Sequence, residues 1–258
     1  MPELTPNARG KLAGKVALVT GGAGGLGSAI CLALANEGAS VVIGYHHSHA
    51  AAKTLAAHLP TEGATHIALA SPVTDSAALI TLADEIDRRY GRLDVLVNCA
   101  GTTRFVPHPE LDQLDDQLID DILATNIRGP IAMVRAMKTL LQRHADGLVV
   151  NISSIAAKSA MGSNIAYCAS KAALDNLTKS LARALAPRIR VVSVSPGLVD
   201  TEFVKRMDEG WRDEQVTRTP LHRLCTPTEV AQAVIACATH FTFSTGSVFA
   251  VDGGRALS

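Results

Sequence analysis

Residues 16–36 read VALVTGGAGGLGSAICLALAN, and this stretch decides the fold. Val16–Thr20 is a short apolar run ending in glycines, the mark of a buried strand. Leu26–Asn36 follows with helical periodicity and stops at Gly38. Glycines between a strand and a helix let the backbone approach a pyrophosphate, and the helix N-terminus then faces its negative charge. Three registers fit the loop. Gly22, Gly24 and Gly27 make Gly-x-Gly-x-x-Gly; Gly21, Gly24 and Gly27 make Gly-x-x-Gly-x-x-Gly; Thr20-Gly21 with Gly25 and Gly27 makes Thr-Gly-x-x-x-Gly-x-Gly. Each of them points to a bound dinucleotide.

Outward from this unit the pattern repeats. Ser40–Tyr45, His66–Ala70, Leu93–Asn98, Gly147–Ser153, Ile189–Ser195 and Ser247–Val251 read as strands. Helices are expected at Ala50–Leu59, Asp75–Tyr90, Ala166–Ala186 and Pro227–Thr239, with a long helical region over Leu111–His144 broken near Asn126–Pro130. Alternating strands and helices imply right-handed βαβ units. The expected fold is therefore α/β, a Rossmann-type doubly wound parallel sheet flanked by helices in three layers. No linker, repeat or low-complexity segment interrupts the chain. A single dinucleotide-binding and catalytic domain is expected over residues 1–258, with a loose tail at 1–11 and a substrate loop at 198–223. Sheets of this kind bind ligands beyond the carboxyl ends of their strands. The glycine loop, Asn98, Ser154 and Pro196-Gly197 all fall at such ends.

Composition narrows the class. The chain has 258 residues, 47% of them apolar, and 24 Lys and Arg balance 24 Asp and Glu. Neutrality argues against a nucleic-acid or membrane-surface partner. No apolar run approaches the roughly 18 residues that a membrane span requires. The N-terminus carries Pro2, Glu3 and Pro6 without the apolar core of a signal peptide. Cys31, Cys99, Cys168, Cys225 and Cys237 are odd in number and form no Cys-x-x-Cys pair, which fits reduced cysteines in a cytoplasmic protein. His46, His47 and His49 match no metal-ligand spacing, so no metal is expected.

The chemistry concentrates in Ser154, Tyr167 and Lys171. Tyr167 and Lys171 stand four residues apart in a helical stretch, which puts both on one face. An ammonium beside a phenol is expected to pull its pKa down from about 10 toward neutrality. A nearby hydroxyl then completes a site where a carbonyl is bound, protonated and reduced. Ser153 is the rival for this hydroxyl. Adjacent residues at a strand end point to opposite faces, and the distance to Tyr167 favours Ser154.

Which dinucleotide binds is decided at the end of the second strand. An NAD site places an acidic side chain there for the ribose hydroxyls. Between Gly38 and Thr61 the chain has no Asp or Glu; Tyr45 stands at that point, followed by His46, His47 and Ser48. A 2′-phosphate meets no repulsion there, so NADP(H) is expected to be preferred, with NAD(H) as the alternative. No arginine occupies the glycine loop or the end of the second strand.

From Lys11 to Ala256 the chain resembles the short-chain dehydrogenase/reductase family, in its compact single-domain branch, which includes 3-oxoacyl-carrier-protein reductases and related carbonyl reductases. Thr20-Gly21-x-x-x-Gly25-Leu26-Gly27 resembles the cofactor loop, and Asn98-Cys99-Ala100-Gly101 resembles the Asn-Asn-Ala-Gly segment. Asn126, Ser154, Tyr167 and Lys171 fall where the catalytic tetrad does. Pro196-Gly197 with Thr201 resembles the segment that closes over the nicotinamide carboxamide, and Val251-Asp-Gly-Gly254 resembles the C-terminal end. Three positions depart from the pattern. Pro72 replaces an aspartate set against the adenine, leaving Val73 backbone groups to bind it. Cys99 replaces an asparagine, and Arg190-Val-Val192 replaces Arg-Val-Asn.

The resemblance implies a mechanism. Tyr167 exchanges a proton with the substrate oxygen, Ser154 polarises that oxygen, Lys171 also bonds the nicotinamide ribose, and Asn126 anchors a water that relays protons to Lys171. It also implies a homotetramer. The substrate is expected to be a small-molecule carbonyl or secondary alcohol, met by Phe203, Met207 and Trp211. Rival readings are an NAD-dependent sugar, polyol or cyclic alcohol dehydrogenase and a dinucleotide-sensing scaffold without catalysis. The chain after Pro196 is too short for the substrate domain of nucleotide-sugar epimerases.

Overall fold

The computed structural model describes residues 10–144 and 146–257. All of the expected N-terminal tail except residues 10 and 11 lies outside them. Seven strands, β1 (Val16–Val19), β2 (Ser40–Tyr45), β3 (Ile67–Ala70), β4 (Val95–Asn98), β5 (Gly147–Ile152), β6 (Ile189–Pro196) and β7 (Val248–Val251), form one sheet in the order β3-β2-β1-β4-β5-β6-β7. Every pairing is parallel. Leu18 lies between Val42 and Leu96, and Val150 between Val97 and Val192. The order runs one way from β1 to β3 and the other way from β4 to β7. The switch point therefore lies between β1 and β4, where such sheets open a crevice.

Both sheet faces are covered, which is why the central strands read as continuous apolar runs. Alternate residues feed two cores. Ala17, Val19, Val97, Val150 and Val194 pack with Ile30, Leu34, Val230 and Val234, from helices α1 (Gly25–Asn36) and α10 (Pro227–Thr239). Helix α2 (His49–His58) adds Ala52 to this side. Val16, Leu18, Leu96, Val149 and Val191 pack with Leu79, Ile86, Met133 and Met137, from α3 (Ser76–Tyr90) and α5 (Gly129–Gln142). Helix α7 (Ile165–Leu185) closes this side with Ala182 and Leu185. The expected three-layer α/β architecture is the one observed.

Local signals set most boundaries. Asp75 caps α3 through bonds from Ala77 N and Ala78 N, and Gly91 ends it with φ of 65°. Thr226 and Glu229 form a reciprocal capping box that starts α10 at Pro227. The region 111–144 is more broken than expected. It holds a 3₁₀ turn at Leu111–Gln113, helix α4 (Asp116–Leu123) and a π turn at Ala124–Arg128 before α5. Pro130 cannot donate a backbone bond, and the extra residue of the π turn carries Asn126 inward, where it is 1% exposed. Three short helices escape periodicity: α6 (Ala156–Ser159), α8 (Glu202–Lys205) and α9 (Glu209–Thr217). The last two lie in the expected substrate loop.

Candidate active site

The glycine loop closes tightly on the start of α1. Gly21 has φ of 63°, and a Cβ there would lie 3.0 Å from Ala100 Cα. A Cβ on Gly27 would lie 2.2 Å from the carbonyl oxygen of Gly21, so only glycine lets the first turn of α1 sit against the loop. Thr20 Oγ1 accepts from both Cys99 N and Ala100 N at 3.0 Å, which pins the end of β1 to the end of β4.

A crevice of about 900 Å³ opens above this switch point. Gly21, Gly25, Leu26 and Gly27 form one wall, and Tyr45 and His46 the end beyond β2. Val73, Ala100 and Gly101 line the opposite side. These nine residues are brought together as the sequence reading places them. The bare glycine wall and the helix N-terminus fit a pyrophosphate. Thr201 lies against the loop, 3.6 Å from where a Cβ of Gly25 would stand. Pro196 accepts from Ile155 N at 2.9 Å and Gly197 donates to Val251 O at 3.0 Å, so this turn joins β5, β6 and β7 at their ends. Asn98 is placed differently. Its side chain is buried and donates through Nδ2 to Asn151 Oδ1 at 2.9 Å, inside the sheet and not along the crevice.

Other residues on the crevice wall escaped the sequence reading. Ser71, Thr74, Asp121 and Arg128 are among them. Arg128 donates to Thr74 O at 3.0 Å across elements 54 residues apart. No local pattern signals such a pair; it exists only once the π turn is built.

Helix α7 carries the chemical groups. Asn164 caps it, accepting from Tyr167 N at 2.7 Å and donating to Arg104 O at 2.7 Å. This single side chain fixes the first turn of α7 to the loop after β4. An asparagine three residues before Tyr167 is the N-cap signal that would have revealed it. Ser154 stands beside the Tyr167 phenol, close enough for its hydroxyl to hold the phenol pKa down. Ser153 is buried and its Oγ lies 3.5 Å from Lys171 O, so the two serines do face opposite ways and Ser154 is the one at the phenol. Lys171 is 6% exposed, donates from Nζ to Ile152 O at 2.8 Å, and lies 5.6 Å from the centre of the Tyr167 ring. Asn126 accepts from Thr102 N at 2.9 Å and donates to Thr102 O and Ser170 Oγ, each at 3.1 Å. Its amide therefore holds the loop after β4 against α7.

The electrostatics correct one expectation. Burial dominates both titratable groups and pushes each toward its neutral form. It brings the Lys171 ammonium down to about 8, opposed by Cys99 and Asp175. It raises the Tyr167 phenol, opposed by the Ser154 hydroxyl. The lysine does not pull the phenol toward neutrality in this geometry, because with its pKa brought to about 8 it has lost its proton before the raised phenol begins to titrate. The arrangement still presents a protonated phenol and a hydroxyl to one oxygen, a pairing suited to proton transfer.

Of the expected substrate residues, Met207, between α8 and α9, and Trp211, in α9, are half-buried and do not line the crevice. The side chain of Phe203 lies outside what the structure describes. Among the described residues no three His, Cys, Asp or Glu side chains gather as a metal site. The His46 and His47 rings lie 3.6 Å apart, tilted by 37° to each other.

A family model described as short chain dehydrogenase matches residues 15–211. The D-threitol dehydrogenase of Mycolicibacterium smegmatis is 35% identical over 250 residues, covering 96% of this chain and 95% of that protein. The 3-oxoacyl-[acyl-carrier-protein] reductase of Thermotoga maritima is 33% identical over 251 residues, covering 96% of this chain and all of its own length. The crystal structure of a gluconate 5-dehydrogenase from Burkholderia cenocepacia, in complex with NADP and tartrate, superposes with a TM-score of 0.88 at 29% identity. It covers 96% of this chain and 97% of its own.

Proposed function

This chain belongs to the short-chain dehydrogenase/reductase family and is an NAD(P)-dependent oxidoreductase; from that premise we propose that it transfers a hydride between NADP(H) and a carbonyl or secondary alcohol. One observation carries the reading: the Ser154 hydroxyl beside the Tyr167 phenol, with Lys171 buried next to the ring. Tyr167 donates its proton to the carbonyl oxygen in reduction and takes the alcohol proton in oxidation. Ser154 holds that oxygen in place. Burial raises the phenol pKa, so the proton needed for carbonyl reduction is in place near neutral pH. Lys171 stays largely charged at pH 7, below its pKa of about 8, and meets the ribose of the nicotinamide half. The Asn126 amide is already engaged, so a proton relay through that position uses a water on its main-chain carbonyl in the π turn.

The bound dinucleotide supplies the hydride donor or acceptor. Gly21, Gly25, Leu26 and Gly27 cradle its pyrophosphate. Tyr45 and His46 meet the adenosine ribose, Val73 the adenine, and Ala100, Gly101, Pro196, Gly197 and Thr201 the nicotinamide side. Asn98 supports this site from inside the sheet. NADP(H) is favoured because the crevice beyond β2 is lined by Tyr45, His46, His47 and Ser48, with no carboxylate from that strand end. Phe203, Met207 and Trp211 are assigned to the substrate through a segment that would have to close over the crevice when substrate binds. The whole chain acts as one domain. No helix among the described residues is long and apolar enough to cross a membrane, and the working form is a cytoplasmic homotetramer.

Oxidation of a sugar alcohol or polyol with NAD is the second reading, favoured by the similarity to D-threitol dehydrogenase. Following nicotinamide absorbance distinguishes them, with NADPH against ketones and 3-oxoacyl thioesters and with NAD⁺ against polyols. The expected result is carbonyl reduction with NADPH, lost by roughly 10²–10⁴-fold in Tyr167→Phe at unchanged dinucleotide affinity. Catalytic efficiency about tenfold better with NADH would refute the cofactor preference. Near-native turnover in Tyr167→Phe would remove the phenol from its role.

A further inference from the structure

Ser71 follows β3 directly and lies on the crevice wall next to Val73. Its side chain is 3% exposed, and its Oγ has no hydrogen-bond partner among the described residues. Buried hydroxyls are rarely left this way, because each one costs the water it has lost. The surroundings are cut to fit it. A Cβ on Gly44, the neighbour in β2, would lie 2.5 Å from Ser71 Oγ, so the glycine leaves the room the hydroxyl occupies. Ser71 N donates to Tyr45 O at 2.6 Å, which fixes the residue against the end of β2. The next residue, Pro72, has no polar side chain and no N–H. Ser71 is therefore the one side-chain hydrogen-bonding group in the run from Ser71 to Val73.

We propose that the Ser71 hydroxyl binds the adenosine half of the dinucleotide, as a buried polar contact beside Val73 on the crevice wall. This rests on the crevice being the dinucleotide site and is independent of whether a 2′-phosphate is present. A hydroxyl both donates and accepts, so it serves a ring nitrogen, an exocyclic amine or a ribose hydroxyl equally. Ser71 follows β3, which three strands of the sheet separate from β5 and the Ser154 that follows it, so it is assigned to affinity and not to turnover.

Ser71→Ala separates this from a structural role. Titrations of the purified protein with ADP, 2′,5′-ADP and nicotinamide mononucleotide provide a readout without catalysis. The expected result is a loss of roughly tenfold for both adenine nucleotides, the size of one hydrogen bond, with no change for the mononucleotide. The Michaelis constant for NADPH and that for NADH rise by the same factor while kcat stays. The ligand-free variant melts no lower than the parent, since an unpartnered buried hydroxyl contributes nothing to the fold. ADP affinity within twofold of the parent, or an equal loss for nicotinamide mononucleotide, would overturn the assignment. A preference for NADH in the parent would refute the cofactor reading above and leave the Ser71 assignment standing.

Discussion

Lys171→Met tests the electrostatics of the site without any substrate. Burial brings the Lys171 pKa from 10.5 to about 8. At 1.36 kcal/mol per unit, holding the charged form in the fold costs on the order of 3 kcal/mol. The sign follows from linkage. Above 10.5 the lysine is neutral in both states and the fold carries no penalty. Between 10.5 and 8 the unfolded chain binds the proton and the fold does not, so stability falls as pH falls. Below 8 both states are protonated and the full penalty is present. Methionine removes the charge but leaves Ile152 O without the donor it now has at 2.8 Å, a loss of about 1–3 kcal/mol. At pH 7 the variant is therefore equal to the parent or more stable by up to about 2 kcal/mol. The pH-dependent part is cleaner. Between pH 8 and 9.5 the parent regains roughly 2 kcal/mol and the variant nothing, because groups common to both cancel in the difference. Urea denaturation at fixed protein concentration measures it at pH 7 and pH 9.5, with Trp211, the only tryptophan, as the fluorescent probe. A stability difference that is the same at both pH values would refute the buried-charge argument.

Three further outcomes are expected. Ser154→Ala lowers kcat, with little change in dinucleotide affinity, while Ser153→Ala leaves kcat within about threefold because its Oγ faces Lys171 O inside the fold; steady-state kinetics on the pair decides which serine serves. Gly27→Ala abolishes dinucleotide binding as read by fluorescence titration, because its Cβ would lie 2.2 Å from Gly21 O; retained affinity would show the loop is not the cradle. Asn151→Ala strips Asn98 Nδ2 of its acceptor and Thr178 Oγ1 of a donor at 2.8 Å, costing about 2–4 kcal/mol and roughly 4–16 °C in Tm by calorimetry.

The central strands were legible because burial on both faces writes them as unbroken apolar runs between glycines and prolines. Helices α3 and α10 were legible because Asp75 and the Thr226–Glu229 pair mark their starts. The Ser154, Tyr167 and Lys171 trio was legible from helix spacing and strand position. What stayed hidden depends on the assembled fold. Helices α6, α8 and α9 are too short to show a period. Ser71 and Arg128 reach the crevice from segments whose meeting no spacing announces. Asn98 sits in the expected motif, yet its amide turns into the sheet toward Asn151. The Tyr167 pKa was misjudged because sequence spacing reports the neighbour's charge and says nothing of how deeply that neighbour is buried.

The ties that α7 makes to the sheet explain how the reactive groups are held still. Three buried positions of this helix are tied to different elements. Ser170 accepts from Asn126 Nδ2 at 3.1 Å, Lys171 donates to Ile152 O, and Thr178 Oγ1 lies 2.8 Å from both Asn151 Nδ2 and Ser193 Oγ. Asn151 in turn holds Asn98, so a chain of buried polar groups runs beneath the site from β4 through β5 and α7 to β6. Asn151, Thr178 and Ser193 are fully buried, where a half-satisfied network is more costly than an apolar core. Ser193 also answers the departure at Arg190-Val-Val192. Val192 turns into the apolar core while the next residue supplies the polar group that reaches α7. Helix rotation of even one residue would break all three ties together. The orientation of α7, and of Tyr167 on it, is thus set from below, by core polar contacts.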